Sequence, residues 1–158
     1  MANTQSMCTS FMGELLTATH NFGVAPTRAS TTVDSFKAAL YLVSATKDAS
    51  TTVYNTTGEV SGTGYTAGGV AVTMGTVPTA TNSSATAGVA FVTPSASIVY
   101  TTVTLATAFD AVLIYNSTQS NKAVSVHTFG SQTITAGTFT LTMPSNTTST
   151  ALLRLSTT

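Results

Sequence analysis

The chain has 158 residues, enough for one domain with a core of its own. Five basic and five acidic side chains cancel and charged residues are 6 % of the total, which excludes the basic footprint of a nucleic-acid or anionic-membrane binder. There are 36 threonines and 18 serines, yet 42 % of residues are hydrophobic, so this is a folded, charge-poor chain and not a disordered low-complexity one.

The single cysteine, Cys8, rules out an intrachain disulfide framework. Met1 to Met7 shows no basic segment followed by an apolar one, and no window approaches about 18 uninterrupted apolar residues. Neither a signal peptide nor a membrane span is expected, so the expectation is a protein made and kept in the cytoplasm or one that leaves the cell by a route other than secretion.

In chain order, the first element expected is a short helix or arm within residues 1–22. Phe11, Leu15, Leu16 and Phe22 recur at helical spacing, with Thr9 or Ser10 as cap and Gly23 and Pro26 as stop. Residues 23–158 then read as one β-sandwich domain. Phe36–Val43 is an apolar, aromatic run and a buried strand. Residues 55–69 hold five of the eleven glycines, the mark of a long shaped loop with several left-handed positions. Strands are expected again at 70–74 and 87–92, with a polar loop over 79–86 between them. In the second half they fall at 98–105, 111–115, 123–127, 133–143 and 151–155. The run Ala111–Tyr115 is the most central, and Asn116–Asn121 is the turn of a hairpin. About eight strands with turns every 8–14 residues predict an all-β fold, a single antiparallel β-sandwich or jelly roll. Threonine suits the outer face of such sheets because it is β-branched and polar.

Chemistry-bearing patterns are weak. Gly62-Thr63-Gly64-Tyr65-Thr66-Ala67 has the letters of a dinucleotide fingerprint, but a β-branched strand follows where a helix must hold the pyrophosphate. His20, His127 and Cys8 lie at no metal-binding spacing, and the five carboxylates (Glu14, Asp34, Asp48, Glu59, Asp110) are scattered. No G-x-S-x-G elbow is present. No catalytic, metal or cofactor residue is assigned, and no enzyme activity is expected. Four N-x-[ST] sequons, at Asn55, Asn82, Asn116 and Asn146, are what a Ser/Thr-rich chain produces by chance. Thr-x-Thr steps such as Thr138–Thr142 lack the regular stacking of an ice-binding face.

One resemblance runs along nearly the whole chain. Met7-Cys8-Thr9-Ser10-Phe11 with Glu14-Leu15-Leu16 and His20 opens it. Phe36-Lys37-Ala38-Ala39-Leu40-Tyr41, Ser44-Ala45-Thr46-Lys47-Asp48, Tyr54 and the block Glu59-Val60-Ser61-Gly62-Thr63-Gly64-Tyr65-Thr66-Ala67-Gly68-Gly69 continue it, as do Leu113–Ser117 and Asn121–Val124. Together these segments resemble small virion structural proteins of tailed bacteriophages. The resemblance implies a non-enzymatic virion component. Low charge and many short hydroxyl side chains suit broad contacts repeated over a symmetric shell, and near-zero net charge favours permanent assembly over a free monomer. The expectation is a capsid decoration (cement) protein, a homo-oligomer (dimer or trimer) bound to the major capsid protein or another virion protein. Phe11, Leu15, Leu16, Phe22, Gly62, Gly64 and Tyr65 are the expected interface. The alternatives are a tail, collar or fibre-base module, and a glycan-binding surface module using Tyr54, Tyr65, Tyr100 and Tyr115.

Overall fold

The computed structural model describes residues 3–8, 10–11, 15, 19–20, 22, 33–81 and 88–156. Among the described residues eight strands are formed: β1 (Ser6–Met7), β2 (Phe36–Leu42), β3 (Val70–Val72), β4 (Thr79–Ala80), β5 (Val89–Val92), β6 (Ile98–Asn116), β7 (Lys122–Leu141) and β8 (Leu153–Ser156). They build two antiparallel sheets, one in the order β1-β7-β6-β2-β3 and one in the order β4-β5-β8. The fold is therefore all-β, in the manner of a sandwich. The N-terminal helix is not seen among the described elements; most of its residues lie outside them. Ser10, Phe11 and Leu15, which are described, have helical backbone.

About eight strands were expected and eight are found among the described residues, but they are not the same eight. The two-residue strands β1 and β4 are additions. The runs 98–105 and 111–115 are one 19-residue strand, and 123–127 and 133–143 merge into a 20-residue partner. Between β6 and β7 the register shifts at five places, and Thr102 and Ala136 take left-handed φ values of 53° and 45°. Bulges of this kind add residues to one strand without ending the ladder. They destroy the alternation from which a strand is read, so a bent strand looks like two short ones.

The bends fold the hairpin onto itself. Ala38 of β2 pairs with Ile114 of β6, and Tyr100 lies fourteen residues earlier on that strand. A straight strand would separate Tyr100 from Ile114 by about 45 Å. Instead the Tyr100 hydroxyl donates to the Ala38 carbonyl at 2.8 Å. The distal half of the hairpin thus lies over the proximal half, and Ile98, Tyr100, Val103, Leu105 and Phe109 point into one core with Leu40, Tyr41 and Leu113.

The hairpin turn is built around Asn116, which is fully buried. Its Oδ1 accepts from the backbone N–H groups of Thr118 and Gln119 at 3.1 Å, and its Nδ2 donates to Asp34 at 2.8 Å. Ser120 and Asn121 supply the left-handed residues that bring the chain back. The small sheet joins the same core through Val92 and Leu153, and the Leu152 N–H donates to the Thr93 hydroxyl at 2.9 Å.

Candidate functional site

The glycine-rich loop is where the sequence concentrates unusual backbone, and its position follows from an interruption in β2. The outer edge of β2 pairs with β3 at Phe36–Ala38. It pairs again at its far end, where the Val60 N–H donates to the Leu40 carbonyl and the Leu42 N–H to the Gly58 carbonyl. Between these contacts the chain leaves the edge and returns. Two tyrosines fill the gap: Tyr100 donates to the Ala38 carbonyl, and the Tyr65 hydroxyl accepts from the Leu40 N–H at 3.0 Å. Both backbone groups belong to fully buried residues, where an unpaired polar group is costly.

Glu59 is the hub of this region. Its Oε1 accepts from the Tyr65 hydroxyl and the Gly68 N–H, each at 2.7 Å, and its Oε2 from the Tyr54 hydroxyl at 2.8 Å. Tyr115 donates to the Gly68 carbonyl at 2.8 Å and stacks on Tyr54 with ring centroids 4.6 Å apart. Gly69 has φ +70°, and a Cβ there would run into the Ala38 carbonyl, so only glycine lets the loop return to β2. Burial first, and the Glu59 charge second, raise the hydroxyl pKa values of Tyr41, Tyr100 and Tyr115. For Tyr54 and Tyr65, burial and then the hydrogen bond to Glu59 act in the same direction. All five tyrosines therefore remain protonated donors, and all five hydroxyls are spent inside the chain.

Next to the hub sits a lysine. Lys47 is 5 % exposed; its Nζ donates to Asn55 Oδ1 at 3.1 Å and lies 4.3 Å from the centre of the Tyr41 ring. Tyr41 in turn donates to the Asn55 carbonyl at 2.6 Å. Burial lowers the Lys47 pKa, with the Glu59 charge opposing.

The residues expected at the interface fall into two separate places. Phe11 and Phe22 are buried in the chain's own core with His20: Phe11 meets both rings edge-on, at 4.9 Å and 5.7 Å, and Phe22 stacks on Phe36 at 4.5 Å. Leu15 is half-buried and, with these phenylalanines, lines an apolar groove of about 120 Å³ against Phe91 and Leu155 of the small sheet. Leu16 lies outside the described residues. Gly62 and Gly64 lie against the Thr104 and Thr102 carbonyls of β6, each too close for a Cβ. Tyr65 is half-buried under the loop with its hydroxyl engaged.

A further pair resembles a nucleophile with its base. Ser125 Oγ and His127 Nε2 are 2.9 Å apart, beside a cavity of about 230 Å³ that Arg154 also lines. Burial lowers the His127 pKa to about 4, so the ring is neutral and shares one hydrogen bond with the serine. No carboxylate meets the second ring nitrogen among the described residues, and Ser125 is only 1 % exposed. The pair is a satisfied hydrogen bond of the β7 face. Among the described residues there is no cluster of three or more His, Cys, Asp or Glu that could hold a metal, and no helix long and apolar enough to cross a membrane.

Glu59 is the functional-looking residue that the reading of scattered carboxylates passed over. Its signal was local: one acid in a glycine-rich loop, between Tyr54 and Tyr65. Compared with known proteins, the chain matches no family model, no curated protein and no solved structure.

Proposed function

We propose that the chain is a non-enzymatic structural protein of a tailed-bacteriophage virion, bound in many copies to the head shell as a decoration protein. The observation that carries this reading is the distribution of polarity. The one charged group of the glycine-rich loop, Glu59, is spent within the chain on Tyr54, Tyr65 and Gly68, and the other polar side chains of residues 55–69 are uncharged. The distal part of the β6–β7 hairpin, residues 98–109 and 123–141, carries no charged side chain. No Asp, Glu, Lys or Arg falls between Lys122 and Arg154. Gly130–Thr133, Thr135, Ala136, Thr138 and Thr140 within that stretch are exposed. A surface of hydroxyls and methyls has no charge to desolvate on docking, and weak contacts repeated over a shell add up. The resemblance to small virion proteins supports the same reading, with the major capsid protein or another virion protein as partner and a homo-oligomer as the bound form. A tail, collar or fibre-base joint would use the same surface. The glycan-binding alternative loses its platform, because Tyr54, Tyr65, Tyr100 and Tyr115 are stacked or bonded within the chain.

The test is reconstitution. Purified protein added to particles that lack it should co-sediment with the heads and raise the temperature at which they release DNA. Co-sedimentation with isolated tails alone would move the protein to the tail, and binding to neither would refute the virion reading.

A further inference from the structure

Lysine is almost never fully buried without a carboxylate partner. Yet Lys47 is 5 % exposed and forms no ion pair among the described residues. Its Nζ is directed at one group, the side-chain amide of Asn55, at 3.1 Å from Oδ1. That same oxygen accepts the backbone N–H of Thr57 at 3.1 Å. The carbonyl is thus polarised by a fixed donor, the arrangement that stabilises developing negative charge in acyl transfer. The Tyr41 ring covers the amine at 4.3 Å, and its hydroxyl pins the Asn55 backbone. Tyr41 pairs directly across from Glu59 on the neighbouring strand segment, which places the carboxylate on the same face. Glu59 is also the carboxylate whose charge acts on Lys47, while burial favours the uncharged, nucleophilic amine.

We propose that Lys47 and Asn55 join through an intramolecular isopeptide bond, formed by the folded chain itself. The neutral Nζ attacks Cγ of Asn55, and the Nζ–Cγ bond forms as the carbonyl electron pair moves onto Oδ1, held by the Thr57 N–H. A proton passes from Nζ to Nδ2 at the tetrahedral carbon, through water at the exposed Asn55 amide. The Cγ–Nδ2 bond then breaks, Oδ1 returns to a carbonyl, and ammonia leaves. Amine plus primary amide give secondary amide plus ammonia, so no oxidant, metal or cofactor enters. Asn55 is itself exposed, so the ammonia departs directly to water. The product removes the buried charge and closes the segment 47–55 covalently beside the tyrosine cluster.

The experiment is intact-mass spectrometry of the purified, denatured full chain, followed by tryptic mapping. A bond lowers the mass by one ammonia, about 17 Da, and makes trypsin pass over Lys47 while still cutting at Lys37 and Lys122. Asn55→Asp should lose one water, about 18 Da, through the same attack on a carboxyl group. Lys47→Arg and Asn55→Ala should each show the full mass of their sequence. A full mass for the folded wild-type chain overturns the proposal, and so does a 17 Da loss that mapping places anywhere but between Lys47 and Asn55. The outcome is independent of the virion reading.

Discussion

Replacing Tyr65 by Phe removes one oxygen atom and tests how the glycine-rich loop is held. That hydroxyl donates to the Glu59 carboxylate at 2.7 Å and accepts from the Leu40 N–H at 3.0 Å. Glu59 retains Tyr54 and Gly68 as donors, so loss of the bond to it costs toward the lower end of the 1.5–3 kcal/mol range for charged hydrogen bonds, about 1.5 kcal/mol. The Leu40 N–H belongs to a fully buried residue and is left without an acceptor, a further cost of about 1–2 kcal/mol. Together these predict a loss of about 2–4 kcal/mol, or about 5–12 °C in Tm for a chain of this length. Tyr54→Phe removes one bond to the same carboxylate and orphans no backbone group, so it should cost about 1 kcal/mol. Urea denaturation of the two variants, with a double-mutant cycle of Tyr65→Phe against Glu59→Gln, reads both effects. A Tyr65→Phe variant within about 0.5 kcal/mol of the wild type would show that the hydroxyl is not what bridges the gap in β2.

Three further outcomes are expected. Gly69→Ala forces a side chain to adopt φ +70° and pushes its methyl onto the Ala38 carbonyl. It should cost about 2–5 kcal/mol and expose the loop to protease in limited digestion. Phe22→Ala empties a buried ring stacked on Phe36 and should cost about 3–5 kcal/mol in chemical denaturation, which a dispensable arm would not. His127 gives a pH signature. Its folded pKa, about 4, lies below the unfolded value, so the unfolded chain binds the proton first. The stabilisation is complete above about pH 6.5, declines as the pH falls, and is gone near pH 4, about 3 kcal/mol in all. The difference between wild type and His127→Asn, followed by denaturation from pH 7.5 to 4, should change over that window. A constant difference would contradict the burial of the ring.

The fold class was legible because β-branched and aromatic runs between turn formers survive any arrangement of the strands, and Phe36–Leu42 and the central Ala111–Tyr115 segment stand where they were read. Strand membership was not, because bulges at Thr102 and Ala136 erase alternation while keeping the ladder. The loop was visible from its glycines, but its attachment was not. Tyr115 bonds Gly68 from 47 residues away, and Tyr100, which fills the gap beside the loop at Ala38, comes from 62 residues away and arrives only because β6 folds back. Phe11 and Phe22 show the converse ambiguity. Apolar residues at helical spacing suit a partner surface and an internal core equally, and here they complete the core beside Phe36.

The most direct test of the central claim is the copy number of the protein per purified phage particle, measured by quantitative mass spectrometry against the major capsid protein. A decoration role predicts a number comparable to that of the capsid protein, or a simple fraction of it set by the shell symmetry. A handful of copies per particle would contradict shell decoration and place the protein at the tail or portal vertex, and absence from the particles would contradict the virion assignment altogether.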